Sequence, residues 1–307
     1  MTMNDNMNDN NPVIKTINLS KKFNQLIAVN NINMSITEGS IHGFLGPNGA
    51  GKTTTLRMIM GLLKPSAGYI TIFGIPLHEN EKNLKNKIGY LPGDIVLYNY
   101  YTVRQLLNYF ESLRGLKNAP LRKELVKRLE LDESKTVKSL STGNRQKVGL
   151  VQAFMHDPDL LILDEPTSGL DPLIKIEFFK IIREFKERKK TIIFSSHILS
   201  DVEKICDYVS IIKDGSIIAT ESIKTLNKNL KRKLIIDTNE KFNLGNVNKK
   251  SFNLIDKVDN RYIFSFDNNN IKSKISELIN IQGIDNYILP EPKIEDYFIK
   301  FYEMEDI

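Results

Sequence analysis

The segment Gly46-Pro47-Asn48-Gly49-Ala50-Gly51-Lys52-Thr53 constrains this chain more than any other stretch. It matches the spacing G-x-x-x-x-G-K-[ST], in which a glycine-rich loop turns backbone N–H groups inward to hold phosphate oxygens. Its flanks fit the same reading. Ser40–Leu45 is an apolar run of strand length, and Thr54–Leu63 carries Leu56, Ile59, Met60 and Leu63 at a helical period. Strand, glycine loop and helix together aim unpaired N–H donors and the positive end of a helix dipole at one point. The whole loop, Gly46, Pro47, Asn48, Gly49, Ala50, Gly51, Lys52, Thr53 and the following Thr54, is therefore the expected contact for a nucleoside triphosphate. Lys52 is expected to reach the β- and γ-phosphates, and the Thr53 hydroxyl to ligate Mg2+.

A phosphate loop alone leaves the fold family open. Leu160-Leu161-Ile162-Leu163-Asp164-Glu165 narrows it, being an apolar run that ends in two carboxylates. A buried parallel strand delivers its last residues to the carboxyl edge of the sheet, beside such a loop. Asp164 is expected to hold Mg2+ directly or through water, and Glu165 to orient and deprotonate the attacking water.

A chain of 307 residues has room for one large domain and a small one. Its formal charge of +6 argues neither for nucleic acid nor for an anionic membrane surface. The single cysteine, Cys206, excludes an internal disulfide framework, and its apolar-periodic segment predicts a buried thiol. No window approaches the roughly 20 apolar residues that a membrane helix requires.

In chain order, Val13–Leu19 and Ala28–Ile36 read as strands separated by Ser20–Gln25. Tyr69–Phe73 and Lys87–Pro92 read as two more. Helical periodicity then dominates over Val103–Leu113, Pro120–Leu131 and Asn144–Met155, which predicts a helical subdomain over about residues 94–157 inserted into an α/β core. Strands at Asp159–Leu163 and Thr191–Ser195 alternate with helices at Ile174–Glu187 and Leu199–Cys206. A hairpin over Asp214-Gly215 closes this part. The predicted organisation is a polar, disordered tail over 1–12, an α/β nucleotide-binding domain over 13–222, a basic linker or solvated helix face over 223–232, and a small α/β domain over 233–307. Within the last, Leu234–Asp237, Tyr262–Phe266 and Asp285–Leu289 read as strands, with helices at Ile271–Ile279 and Ile294–Tyr302.

Leu140-Ser141-Thr142-Gly143-Asn144-Arg145-Gln146 reads locally as a helix start, with Ser141 as N-cap and Gly143 leaving room for close approach. That is a second anion site, far along the chain from the first. The segment resembles the LSGGQ signature of ATP-binding cassette (ABC) proteins. Ser168-Gly169-Leu170-Asp171 is similar to the D-loop of that family, and His197 to its switch histidine. The motifs stand in the family's order over residues 13–222. The resemblance implies a P-loop NTPase fold of mixed sheets with an inserted helical subdomain. It further implies ATP bound between two head-to-tail copies, with Ser141, Thr142, Gly143, Asn144 and Asp171 of one facing the phosphate loop of the other. His197 would hold the γ-phosphate and, with Glu165, the water. Phe23 matches the aromatic that stacks on adenine, while by itself it reads equally as a core residue.

The departures are specific. Gly93 stands where most relatives place glutamine, with Asp94 as a partial substitute, and Thr142 and Asn144 replace Gly and Gln. Tyr98, Tyr100 and Tyr101 read either as the lining of a groove for a membrane partner's helix or as ordinary surface residues. Pro290-Glu291-Pro292-Lys293-Ile294-Glu295-Asp296-Tyr297-Phe298 looks like the ending of ABC-2 type exporter cassettes. The resemblance therefore implies an exporter ATPase at the cytoplasmic face of a membrane. It would work with a separate integral-membrane permease and a second copy of itself, without direct nucleic-acid contact. A soluble cassette acting on ribosomes or DNA is the alternative.

Overall fold

A computed structural model describes residues 12–78, 81–229, 231–267 and 270–291. The chain divides into two compact units, with the boundary between Thr220 and Glu221.

In the first unit, β1 (Ile14–Phe23) and β2 (Leu26–Ile36) form a hairpin. The polar segment Ser20–Gln25 is thus largely strand rather than a separating loop. Register shifts between Thr16 and Lys22 absorb its irregular pattern, and the turn falls on Asn24 in the left-handed region (φ 53). β3 (Ile41–Leu45) leads through the glycine loop into α1 (Lys52–Ile59). That helix begins two residues earlier than expected and stops at Ile59, leaving Leu62 exposed. β4 (Ala67–Ile72) and β5 (Ile75–Pro76) join the first hairpin in an antiparallel sheet of order β2-β1-β4-β5.

After α2 (Glu81–Asn86) and β6 (Ile88–Leu91) come three helices, α3 (Val103–Leu113), α4 (Arg122–Arg128) and α5 (Thr142–Phe154). Helix α3 has a reciprocal cap between Thr102 and Gln105, which fixes its first turn. The chain then alternates through β7 (Leu160–Asp164), α6 (Pro172–Glu187), β8 (Thr191–Ser196), α7 (Leu199–Ile205), β9 (Tyr208–Lys213) and β10 (Ser216–Ser222). The second sheet has the order β10-β9-β3-β8-β7-β6, and β3, β6, β7, β8 and β9 run parallel. Every residue of β3, β7 and β8 is buried, as expected of parallel strands covered on both faces. Cys206 is buried as well, and desolvation raises its thiol pKa.

In the second unit the segment expected as a linker or a solvated helix face forms a helix, α8 (Ile223–Asn229), with Ile223 and Leu226 buried. Two apolar side chains at i and i+3 anchor one face of that basic run. β11 (Arg232–Thr238), β12 (Asn253–Val258), β13 (Arg261–Phe266) and β14 (Ile284–Ile288) make an antiparallel sheet of order β12-β13-β11-β14, with α9 (Ile271–Ile279) between β13 and β14 in the chain. Strand β12 is not predicted from the sequence because it is an edge strand, exposed along its whole length, with no alternation of burial. Phe252, Phe264, Phe266, Leu234, Ile236, Val247 and Leu278 form this unit's core. The expected helix over Ile294–Tyr302 lies outside the described residues, as do residues 1–11 and most of the Pro290–Phe298 ending.

Candidate functional site

Register at the carboxyl edge of the parallel sheet brings the chemistry together. Leu45 pairs with Ser196, and Asp164 with Ser195, so the loops after β3, β7 and β8 leave the sheet side by side. Gly46, Glu165 and His197 are the residues at, or just beyond, those exits.

The glycine loop is shaped by backbone contact. Gly51 has φ 104, and a β-carbon there would fall 2.6 Å from the carbonyl oxygen of Ala28, so no other residue fits. A recess of about 170 Å3 opens here, lined by Ala28, Asn48, Gly49, Gly51, Lys52, Thr53, Thr54 and Glu165. A larger recess of about 580 Å3, among Met58, Leu63, Tyr69, Leu77 and neighbours, contains none of the expected site residues and is mostly apolar. The smaller one is lined by Lys52, Thr53 and Glu165 of the expected site.

Lys52 is buried, 6% exposed, and its ammonium donates to the carbonyls of Gly46 (2.7 Å) and Pro47 (3.1 Å). The same nitrogen lies 3.3 Å from Glu165 Oε1. That approach is an ion pair without hydrogen-bond geometry, for Glu165 Oε1 has no hydrogen-bond partner among the described residues. Glu165 Oε2 is 2.9 Å from His197 Nδ1. One carboxylate therefore bridges the loop lysine and the histidine at the end of the neighbouring strand. Glu165 itself has φ 49, a left-handed conformation that costs roughly 1–2 kcal/mol for a residue with a side chain.

That conformation is held from several sides. The Glu165 N–H donates to Ser195 Oγ (3.0 Å), and the Ser195 hydroxyl donates to Asp164 Oδ1 (2.6 Å). The Gln146 side-chain amide donates to the carbonyls of Glu165 (3.3 Å) and Pro166 (3.0 Å). The sequence assigns no role to Ser195 or Gln146, although both stand in or next to the motifs. Asp164 Oδ2 is fully buried and has no hydrogen-bond partner among the described residues. An orphaned carboxylate oxygen beside a phosphate-type loop suits a divalent cation. Mg2+ is commonly held by one or two protein oxygens together with substrate phosphates and water.

Gly93 lies directly against this carboxylate. A β-carbon added there would stand 3.1 Å from Asp164 Oδ2, so the residue at the glutamine position touches the expected metal ligand through its backbone alone. Asp94 is exposed. Tyr90, on the strand leading to Gly93, is pushed toward higher pKa by burial first and by the charge of Asp164 second.

Other expected site residues lie elsewhere. Ser141 caps α5, accepting from the Asn144 N–H at 3.3 Å, and Thr142 is exposed beside it. A β-carbon on Gly143 would come within 2.5 Å of the Gly169 carbonyl, so the signature turn packs on the D-loop backbone. Asp171 caps α6 through the Ile174 N–H (3.0 Å). None of Ser141, Thr142, Gly143, Asn144 or Asp171 lines the recess of their own chain. Phe23 is 44% exposed near the hairpin turn, with the Lys21 ammonium 5.1 Å from its ring centre, and is no part of the core. Tyr98, Tyr101 and Tyr109 form an exposed aromatic cluster, with centroids 5.9–6.2 Å apart.

Comparison with known proteins gives a consistent result. A family profile described as ABC transporter matches residues 29–168. The bacitracin transport ATP-binding protein BcrA of Bacillus licheniformis is 35% identical over 295 residues, covering 94% of this chain and 96% of that protein. The ABC transporter ATP-binding protein NatA of Bacillus subtilis is 40% identical over 205 residues, 65% of this chain and 83% of its own length. Among solved structures, an ATP-binding subunit of an ABC transporter superposes with a TM-score of 0.65 at 30% identity, covering 70% of this chain and 92% of that one. The dimeric post-hydrolysis cassette MJ0796, bound to ADP and phosphate, gives 0.60 at 25% identity, with 68% and 98% coverage.

Proposed function

The chain belongs to the ABC transporter ATP-binding proteins, and from that premise we propose that it hydrolyses ATP between two head-to-tail copies to drive export through a separate membrane permease. The observation that carries the proposal is the continuous contact Lys52–Glu165–His197 at the mouth of the glycine-loop recess, beside the unpartnered Asp164 Oδ2.

In this reading the loop N–H groups and the start of α1 hold the phosphates. Lys52 turns from the Gly46 and Pro47 carbonyls toward the phosphate oxygens. Mg2+, held by Thr53 and Asp164, would neutralise developing charge on those oxygens. Glu165 accepts the proton of the attacking water, and His197 fixes the orientation of that carboxylate. Ser141 to Asn144 and Asp171 serve the partner's recess, which is why they stand away from their own. Phe23, exposed on its hairpin, is free to stack on adenine.

Transport is favoured over a soluble role by the names of the relatives and by the extent of the BcrA match, which covers nearly the whole chain. Among the described residues no helix is long and apolar enough to cross a membrane. By analogy with relatives named as ATP-binding proteins of transporters, we assign the permease to another polypeptide, with this chain at the cytoplasmic face and the exposed Tyr98–Tyr101–Tyr109 cluster as its docking surface. The test is co-purification from membranes followed by ATPase assay. A membrane partner whose presence raises turnover is expected, and recovery with ribosomes or DNA instead would overturn the proposal.

A further inference from the structure

We propose that Asp201 is a positioning residue that sets the Glu165–His197 contact by tying the segment after Glu165 to helix α7. The proposal rests on the ATPase reading for its kinetic consequence, but its geometry does not.

Asp201 is 1% exposed, and both of its oxygens are engaged. Oδ2 accepts from the Thr167 hydroxyl at 2.9 Å, and Oδ1 pairs with the Lys175 ammonium at 2.7 Å. Thr167 is itself buried and stands two residues after Glu165, while Asp201 stands four residues after His197. The chain thus closes a small ring: Glu165 to Thr167 along the backbone, Thr167 to Asp201 by hydrogen bond, Asp201 back to His197, and His197 Nδ1 to Glu165 at 2.9 Å. Lys175, in the first turns of α6, adds the helix capped by Asp171 to the same anchor.

The mechanical need is evident from Glu165. Its left-handed backbone persists only if its surroundings over-determine it. Ser195 and Gln146 fix its N–H and carbonyl, and the Ser168 N–H turns back to the same carbonyl (3.1 Å), but none of these bonds reaches helix α7. His197 is exposed and is followed by a helix of only seven residues. Without the Thr167–Asp201 bond, the two arms bearing the carboxylate and the imidazole lose a buried link that does not involve the reacting side chains themselves. A buried carboxylate deprived of one partner also leaves a desolvated lone pair, so the loss is felt locally.

Thr167→Val removes the hydroxyl at nearly constant volume, and Thr167→Ser keeps it. In nucleotide-free protein, the Thr167→Val variant is expected to shift the His197 Nδ1 15N resonance in the direction given by Glu165→Gln, and Thr167→Ser to restore it. Turnover should fall about ten- to a hundredfold in the valine variant with KM for ATP within about twofold, as for a misplaced but intact group. Asp201→Asn, which keeps an acceptor for Thr167 but weakens the pull on Lys175, should lie between. A valine variant that is less heat-stable yet has an unchanged His197 signal and unchanged kcat would overturn the proposal. The imidazole signal is read without nucleotide, so a wild-type protein that fails to hydrolyse ATP would sink the functional reading separately.

Discussion

The glycine loop and the signature turn are both expected to present a helix start to an anion, yet they are built in opposite ways. Around Gly46–Thr54 the chain encloses a recess, buries Lys52 and places a carboxylate opposite it. Around Ser141–Asn144 the helix start is capped by its own serine and packed on Gly169, with Ser141 and Thr142 left exposed. The first is complete within one chain apart from its ligand, and the second has a surface without a cavity. Spacing identifies both, but only geometry tells which of them encloses a recess within one chain.

Glu165→Gln should separate the two halves most sharply. Loss of the base should slow turnover by roughly 10²–10⁴ while ATP still binds. Size-exclusion with ATP should then show a dimer, and an unchanged monomer would detach the signature turn from catalysis.

Acidification probes the strand that aims the loop. Burial pushes His42 on β3 down to about 4, and its Nε2 lies 2.8 Å from Ser210 Oγ. An unfolded histidine protonates near 6.5, so the unfolded chain binds more protons between those values. Stability should therefore fall as pH drops from about 6.5 to about 4, by up to about 3 kcal/mol from this group. Denaturant unfolding across that range should show a flatter profile for His42→Asn.

Lys52→Ala removes a charged donor from the recess and should weaken ATP binding about ten- to a hundredfold by calorimetry. Unchanged affinity would mean that the recess is not the phosphate site. The smallest effect is expected from Ser141→Ala, which costs about 1 kcal/mol of helix capping. Its loss of turnover should deepen as protein is diluted, if the turn serves a second copy. A loss independent of protein concentration would place its role within one chain.

Legibility from sequence differs between the same two regions. The loop, its strand and its helix are contiguous, so local pattern places the strand and the helix start within a residue or two, while the helix end falls earlier than its apolar period suggests. Lys52 and Glu165 lie far apart in the chain, yet sequence assigns them to one site because each follows a buried strand of one parallel sheet, and they stand 3.3 Å apart. Ser195, Gln146 and Asp201 carry no such signal, because each acts on another residue rather than on a ligand and belongs to no pattern of its own. The run over 223–232 reads as a linker or a solvated helix face because its charge is visible, whereas the burial of Ile223 and Leu226 is not. In sequence Gly93 is only a missing side chain; its contact with Asp164 emerges when β6 and β7 are paired.

What the sequence determined by itself is the chemistry on offer: a glycine loop of phosphate-binding pattern, a pair of carboxylates ending a buried strand, a second capped helix start, and their order along one cassette. The tertiary structure alone decided which of these groups touch. Hydrogen-bond register across β3, β7 and β8 sets Gly46, Glu165 and His197 at one level, and register is a property of paired strands, Leu45 beside Ser196 and Asp164 beside Ser195, which no local spacing encodes.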